Sequence, residues 1–193
     1  MGAEIATRAG VIVERSAAFA KGLTRRLGRS DLRLLYAVNQ GLKRRWLDRC
    51  MSVLTHAGSP SSSLLVCAAL LLLGRGFALP GLQALAALAS SHIAVQGCKF
   101  AFKRKRPYLV FSDVWTVANP LRDPSFPSGH TAAVFAVTVS LASSFPALGV
   151  PLLALASAVG FSRTYLGLHY PSDVLMGALF GGGAAHLSRL FFT

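Results

Sequence analysis

The sequence predicts an all-α, polytopic membrane helical bundle, with about five transmembrane helices preceded by an N-terminal amphipathic interfacial helix. Three observations predict it. Of 193 residues, 53% are hydrophobic and only 14% charged, with positive mean hydropathy, which is not the balance of an ordinary soluble domain. Apolar runs near the length of a membrane crossing follow one another from residue 64 to the C-terminus, punctuated by Gly and Pro. The charge is concentrated ahead of those runs: residues 1–57 hold 11 of the 20 Lys and Arg and 4 of the 7 acidic residues. A basic bias suits anionic lipid headgroups or nucleic acid, and the apolar chain behind it favours the membrane, so no nucleic-acid partner is expected.

In chain order, residues 1–30 are basic, small and weakly patterned, and are expected to form a frayed or surface-lying arm without a secretory signal. From Leu32 to Leu54, Leu35, Leu42, Trp46, Cys50 and Leu54 recur at helical spacing, while Arg33, Lys43, Arg44, Arg45 and Arg49 fall largely elsewhere on the wheel. That pattern describes an amphipathic helix with too many charges to span, Trp46 being suited to the membrane interface. Residues 1–57 are therefore read as an N-terminal arm and interfacial helix, and 58–193 as the transmembrane domain. Gly58-Ser59-Pro60 breaks the chain, Leu64–Leu79 is the first apolar run, and Pro80-Gly81 is expected to turn it into a second run, Leu82–Phe102. About 20 residues cross a ~30 Å hydrocarbon core. Thr131–Phe145, Val150–Tyr165 and Val174–Phe192 supply three further spans. In the last of these Gly177 and Gly181, with Ala178 and Gly182, form small-residue rows that permit close helix packing within the bundle or between copies. The oligomeric state stays open. Cys50, Cys67 and Cys98 show neither paired spacing nor a zinc pattern.

Three polar clusters interrupt this apolar frame: Lys99 through Arg106-Pro107, Pro127-Ser128-Gly129-His130, and Ser162-Arg163 followed by His169 and Asp173. If the spans alternate in direction, the 103–126 loop and the 167–171 turn lie on one membrane face and the clusters converge. Pro127 suits the first position of a helix with Ser125 as its cap, which would leave the N–H groups of Ser128, Gly129 and His130 as free first-turn donors. Pro171 likewise suits the start of the last helix, placing Asp173 in its first turn and His169 just before it. A carboxylate at that offset accepts the histidine N–H and makes the other ring nitrogen a better nucleophile or base. Lys99, Arg106 and Arg163 supply charge for a phosphate and for the transition state of its transfer. Lys103, Arg104 and Lys105 are headgroup contacts or a solvated run, and Arg122 and Asp123 either shape the rim of the site or form a loop ion pair. Ser162 either orients a phosphate-binding group or packs between helices, and His92 is read as a hydrogen-bonded bundle histidine. No cluster of Asp and Glu suggests magnesium or calcium, and no cofactor is expected.

With Lys99, six intervening residues and Arg106-Pro107, then Pro127-Ser128-Gly129-His130, then Ser162-Arg163, five residues, His169, three residues and Asp173, the chain resembles the type 2 phosphatidic acid phosphatase superfamily, which also holds the haloperoxidases. The resemblance runs from about residue 60 to the end. It implies an integral-membrane, metal-independent lipid phosphatase with a helical bundle fold. It implies that His169 is the nucleophile, Asp173 its orienting carboxylate and His130 the acid that protonates the leaving oxygen. Lys99, Arg106, Ser128, Gly129 and Arg163 would bind the phosphate oxygens. The implied substrate is a membrane lipid phosphomonoester or diphosphate: phosphatidylglycerophosphate, phosphatidate or a polyprenyl diphosphate such as undecaprenyl diphosphate. A phosphotransferase with the same site and a non-catalytic membrane scaffold are the alternatives. Family members commonly have six spans, against five and an interfacial helix here. The expected location is the plasma or inner membrane. The positive-inside rule would call the charged face cytoplasmic, but phosphate binding explains several of its cations, and bacterial relatives imply the outward-facing site adopted here.

Overall fold

The computed structural model describes residues 28–116 and 121–192, so the basic arm expected over residues 1–30 falls almost wholly outside the described residues. The described residues from Leu35 onward form one compact unit, which holds all that follows. It is all-helical among the described residues. It begins within a helix over 28–39 (α1) and continues through α2 (Arg45–Leu54) and a 3-10 turn, Thr55–Gly58, into α3 (Pro60–Leu73) and α4 (Ala78–Phe102). After a short α5 (Pro107–Val110) come α6 (Gly129–Ser144), a 3-10 turn, α7 (Gly149–Tyr165) and α8 (Pro171–Phe191).

The single amphipathic helix expected over Leu32–Leu54 is two helices broken at residues 40–44. Its tertiary contacts explain the break. Asn39 is fully buried, its amide nitrogen donating to the carbonyls of Trp115 (2.8 Å) and Tyr165 (2.7 Å) while its oxygen accepts from the Trp115 N–H (3.0 Å). One side chain thus satisfies the final carbonyl of α7, which has no partner within its own helix. Just past the break the Tyr165 hydroxyl donates to Asp48 (2.6 Å) and accepts from the Arg44 N–H (3.3 Å). Both short helices are pinned to the end of α7. Trp46 stays exposed, as an interfacial anchor requires.

Helix α3 starts on the Ser59 cap, which accepts from the Ser62 N–H, with Pro60 at the first helical position. It stops at Gly74 (φ +61°) and Gly76 (φ +48°), left-handed positions that a residue without Cβ adopts freely. The turn therefore lies at 74–76. Pro80-Gly81, expected to make it, sits inside the first turn of α4, where a proline is tolerated. Gly81 instead lets α4 press on α3: a Cβ there would lie 2.9 Å from the Leu70 Cβ.

Each of the five apolar runs is mainly helical, the first of them only to Leu73 before its turn, and their lengths differ. Three helical stretches, within Ala78–Val110, Pro146–Tyr165 and Pro171–Phe191, are long and apolar enough to cross a membrane. A fourth crossing results if Arg45–Gly58 and Pro60–Leu73, bent by 53° at their junction, act as one span. At 16 residues α6 is only ~24 Å long. It is the packing centre, touching α3, α4, α7 and α8, and it buries Ala132, Ala133, Val134, Ala136 and Val137. The glycine row of α8 is used here, inside the molecule. A Cβ on Gly177 would lie 2.5 Å from the Ser128 carbonyl oxygen and one on Gly181 2.2 Å from that of Ala132, so the two backbones meet directly. Large apolar side chains such as Leu65, Leu72, Ile93 and Val150 are exposed on the outside. A small-residue interior beneath an apolar exterior suits a bundle solvated by lipid, where close packing replaces the hydrophobic drive between helices.

Candidate active site

The polar clusters meet at one end of this bundle. Lys99 lies in the last turn of α4, which ends where Lys103 takes up φ +48° and returns its N–H to the Lys99 carbonyl. Pro107 opens α5 and holds the preceding Arg106 in an extended conformation (φ −70°, ψ 152°), which turns that guanidinium into the protein, where it is almost wholly buried. Arg163 lies in the last turn of α7, and its carbonyl accepts the N–H groups of Leu168 and His169 in the turn that follows. Gly167 (φ +68°) lies in that turn against the Trp115 carbonyl, 2.5 Å from where a Cβ would stand. Pro171 then begins α8 with Asp173 in its first turn, as the sequence predicts, and Asp173 accepts the Tyr170 N–H at 3.0 Å.

His169 is buried at the centre. Its Nδ1 lies 2.7 Å from the Ser125 carbonyl oxygen and 3.5 Å from Asp173 Oδ2, both acceptors, so Nδ1 carries the proton. On the other side Arg106 Nη1, which can only donate, lies 3.1 Å from Nε2. The neutral tautomer with a lone pair on Nε2 follows from these partners. Burial pushes the imidazole down to about 4, the Arg163 and Arg106 charges acting in the same sense and Asp173 against them, so the ring is neutral at pH 7. Asp173 lies against the ring and also holds its surroundings. Its Oδ2 accepts from the Ser125 hydroxyl and the Tyr170 N–H, and its Oδ1 from Arg104 Nη1 at 2.7 Å. The carboxylate expected from the spacing reaches the ring, but a backbone carbonyl is the nearer acceptor, and the carboxylate also fixes the loop that presents it.

The remaining site residues are placed as follows. Lys99 Nζ and Arg106 Nη2 (2.9 Å) both donate to the carboxylate of Asp123, one oxygen each. Those two cations hold the Asp123 carboxyl at about 2, against the opposing effect of its burial. Arg163 is buried and donates Nη1 to the Thr55 hydroxyl (2.6 Å), while its Nε and Nη2 have no partner among the described residues. His130, in the first turn of α6, faces the charges of Arg163, Lys99 and Arg106 as well as the His169 ring. Gly129 borders Lys99, whose Nζ would lie 4.0 Å from a Cβ at that position.

Helix α6 begins one residue past Ser128, so Pro127 lies outside it and Ser128 is its cap. The Ser128 hydroxyl accepts from the Thr131 hydroxyl (2.9 Å) and caps the Thr131 N–H, and the Ser128 N–H donates to the Asp173 carbonyl (3.0 Å). That N–H is not the free donor expected. Ser125, expected as the cap, instead bridges His169 and Asp173.

Four residues join the cluster that motif reading did not place there: Ser125, Asp123, Arg104 and Thr55. Asp123, read from the sequence as part of the rim or as a loop ion pair, carried a usable signal as the one acidic residue between Asp113 and Asp173. Arg104, stacked 3.7 Å above the Tyr170 ring and bonded to Asp173 and Ser172, carried none. An apolar cleft of about 350 Å³ between α3, α4 and α6 reaches the cluster at Gly129, with Leu64, Leu88, Val95 and Ala133 among its walls.

Known proteins resemble this chain in sequence and in fold. Over 69 residues the chain is 41% identical to a lipid A 1-phosphatase of Rhizobium etli, a match covering 36% of this chain and 30% of that protein. Over 70 residues it is 37% identical to the undecaprenyl-diphosphatase BcrC of Bacillus subtilis, covering 36% of each. These matches span about a third of the length of the curated relatives. Among solved structures, Aquifex aeolicus LpxE superposes with a TM-score of 0.76 at 27% identity, over 82% of this chain and 94% of that one. Residues 80–193, which contain all three polar clusters, match the sequence model of the PAP2 superfamily, and the chain belongs to that superfamily.

Proposed function

We propose that this chain is an integral-membrane lipid phosphatase that hydrolyses a lipid phosphomonoester or diphosphate through a phosphohistidine at His169. One observation carries the reading: a buried, neutral histidine whose Nδ1–H is held by Ser125, and whose Nε2 lone pair meets the Arg106 guanidinium with the Arg163 charge nearby. Nε2 attacks phosphorus as the bond to the lipid oxygen breaks, and His130, which takes up a proton from solvent once the phosphate's negative charge offsets the cations around it, gives that proton to the lipid oxygen. Asp173 stabilises the charge that develops on the His169 ring. Water then attacks phosphorus with His130 as base, the P–N bond breaks, and inorganic phosphate leaves. Lys99, Arg106 and Arg163 bind the phosphoryl oxygens, with the Gly129 backbone beside them, and Ser128 supports this wall as the cap of α6. Arg163 Nε and Nη2, buried without partners, are donors a phosphate would satisfy. These side chains supply the positive charge that a metal provides elsewhere, which supports metal-independent turnover.

The apolar cleft that reaches Gly129 suits a lipid tail. The relatives act, by their names, on lipid A and undecaprenyl diphosphate, so both belong on a substrate panel with phosphatidate and phosphatidylglycerophosphate. Purified protein with chelator present is expected to release phosphate from at least one of them. Turnover by His169→Ala equal to wild type would refute the phosphohistidine mechanism. The site is proposed to face outward across the plasma or inner membrane. In a Cys50→Ser background, a cysteine at the exposed Ser112 is then expected to react with an impermeant thiol reagent in intact cells. Reaction only after permeabilisation reverses the orientation.

A further inference from the structure

We propose that Asp123 is an internal stand-in for the substrate phosphate, an anion that occupies the cation cluster and that the phosphate must displace. This rests on the phosphate-site reading above and adds a residue that sets substrate affinity. The two carboxylate oxygens are divided between two cations: Oδ2 takes Lys99 Nζ and Oδ1 takes Arg106 Nη2. Two oxygens of a phosphate would use the same donors.

Arg106 has little else to offer. Its Nε donates to the Asp123 carbonyl (2.9 Å), and its Nη1 serves the Leu168 carbonyl (3.0 Å) and His169 Nε2 (3.1 Å). A phosphate that takes up Arg106 therefore takes it from the Asp123 carboxylate, from the nucleophile's lone pair, or from both. The two exchanges are linked. Drawing the guanidinium onto a phosphate would uncover Nε2 at the moment a phosphorus atom is beside it. Asp123 is suited to yield: its side chain is 47% exposed, against 10% for Lys99 and 2% for Arg106, so the carboxylate can move into water while the cations stay. It is also an incomplete substitute, since Arg163 Nε and Nη2 remain unsatisfied.

A carboxylate that competes with substrate and one that merely organises the cations give opposite signs. The probes are inorganic phosphate and orthovanadate, titrated into detergent-purified wild type and Asp123→Asn by calorimetry, with the phosphate-induced shift in Tm as a second readout. The isosteric amide keeps the shape and removes the charge. Because the carboxylate is half in water, the gain is on the order of tenfold tighter binding rather than that of a buried pair. Without its internal anion Asp123→Asn is expected to melt lower than wild type, and to gain more in Tm from phosphate. Asp123→Ser repeats the charge change should the amide variant not fold. Binding equal to or weaker than wild type in the folded variants overturns the proposal and leaves the phosphate-site reading intact. Binding of neither probe by either protein, with Lys99→Ala as the blank, overturns both.

Discussion

Arg106→Lys tests whether the site depends on a fork or merely on a charge. The substitution keeps the cation and removes its geometry. Arg106 makes four contacts from three nitrogens, to the Asp123 carbonyl and carboxylate, the Leu168 carbonyl and His169 Nε2, all between 2.9 and 3.1 Å. A lysine ammonium presents three donors from one point and cannot reach both the Leu168 carbonyl and Asp123. Two or three of the four contacts are lost. At roughly 1 kcal/mol net for each neutral acceptor and more for the carboxylate, the loss is about 3 kcal/mol. To the extent that the guanidinium bridges nucleophile and phosphate in the transition state, that loss is about 10²-fold in kcat/KM, since about 1.4 kcal/mol is tenfold. The assay is phosphate release from the best lipid of the panel, with thermal unfolding in detergent alongside. Retention of more than about a third of wild-type kcat/KM in a stably folded Arg106→Lys would refute the reasoning, because a point charge would then suffice.

Other predictions follow from the same geometry. Because burial holds His169 at about 4, below the usual value near 6.5, the nucleophile stays neutral through mildly acid solution, and the acid limb of kcat/KM attributable to it should lie near pH 4 to 5. An acid limb centred at 6.5 that does not track ionisation of the substrate would contradict this. The same depression means that between about 6.5 and 4 the unfolded ring binds a proton and the folded ring does not, so this contribution to stability falls as pH falls through that window and changes no further below it. Gly181→Val is expected to unpack α6 from α8, since its Cβ would lie 2.2 Å from the Ala132 carbonyl oxygen and 2.8 Å from the Ala136 nitrogen. The cost should exceed about 3 kcal/mol in detergent unfolding, at or beyond the upper end of ordinary overpacking. Gly183→Ala, with nothing within 4 Å, should be neutral or stabilising by about 0.5 kcal/mol, and comparable losses at the two sites would refute the packing account. Thr55→Val removes the one side-chain hydrogen bond to the buried Arg163 among the described residues, and is expected to cost about 1 to 3 kcal/mol of stability and to raise KM. Added inorganic phosphate should restore part of that stability, and a purely local loss would show no such rescue.

The sequence by itself determined the helical runs, the small-residue row on α8 and the helix start at Pro171 with Asp173 in its first turn, because periodicity, proline geometry and capping act within a few residues. Its three motif clusters stand out as polar interruptions of apolar runs. Local signals went astray where a distant partner competed. Asn39 gave its amide to Trp115 and Tyr165, and the helix expected over 32–54 broke beside it. Two glycines able to take positive φ claimed the turn that Pro80-Gly81 seemed to mark. Only the tertiary structure decided the pairings that matter for chemistry. Ser125, 44 residues before His169, holds its Nδ1–H, and Asp123, 24 residues after Lys99, neutralises cations expected to stand open. Arg104 reaches Asp173 across 69 residues, and Thr55 reaches Arg163 across 108. The type of each residue limits which bonds it can make. Which partner it meets depends on how α4, α6, α7 and α8 pack, and no spacing along the chain encodes that.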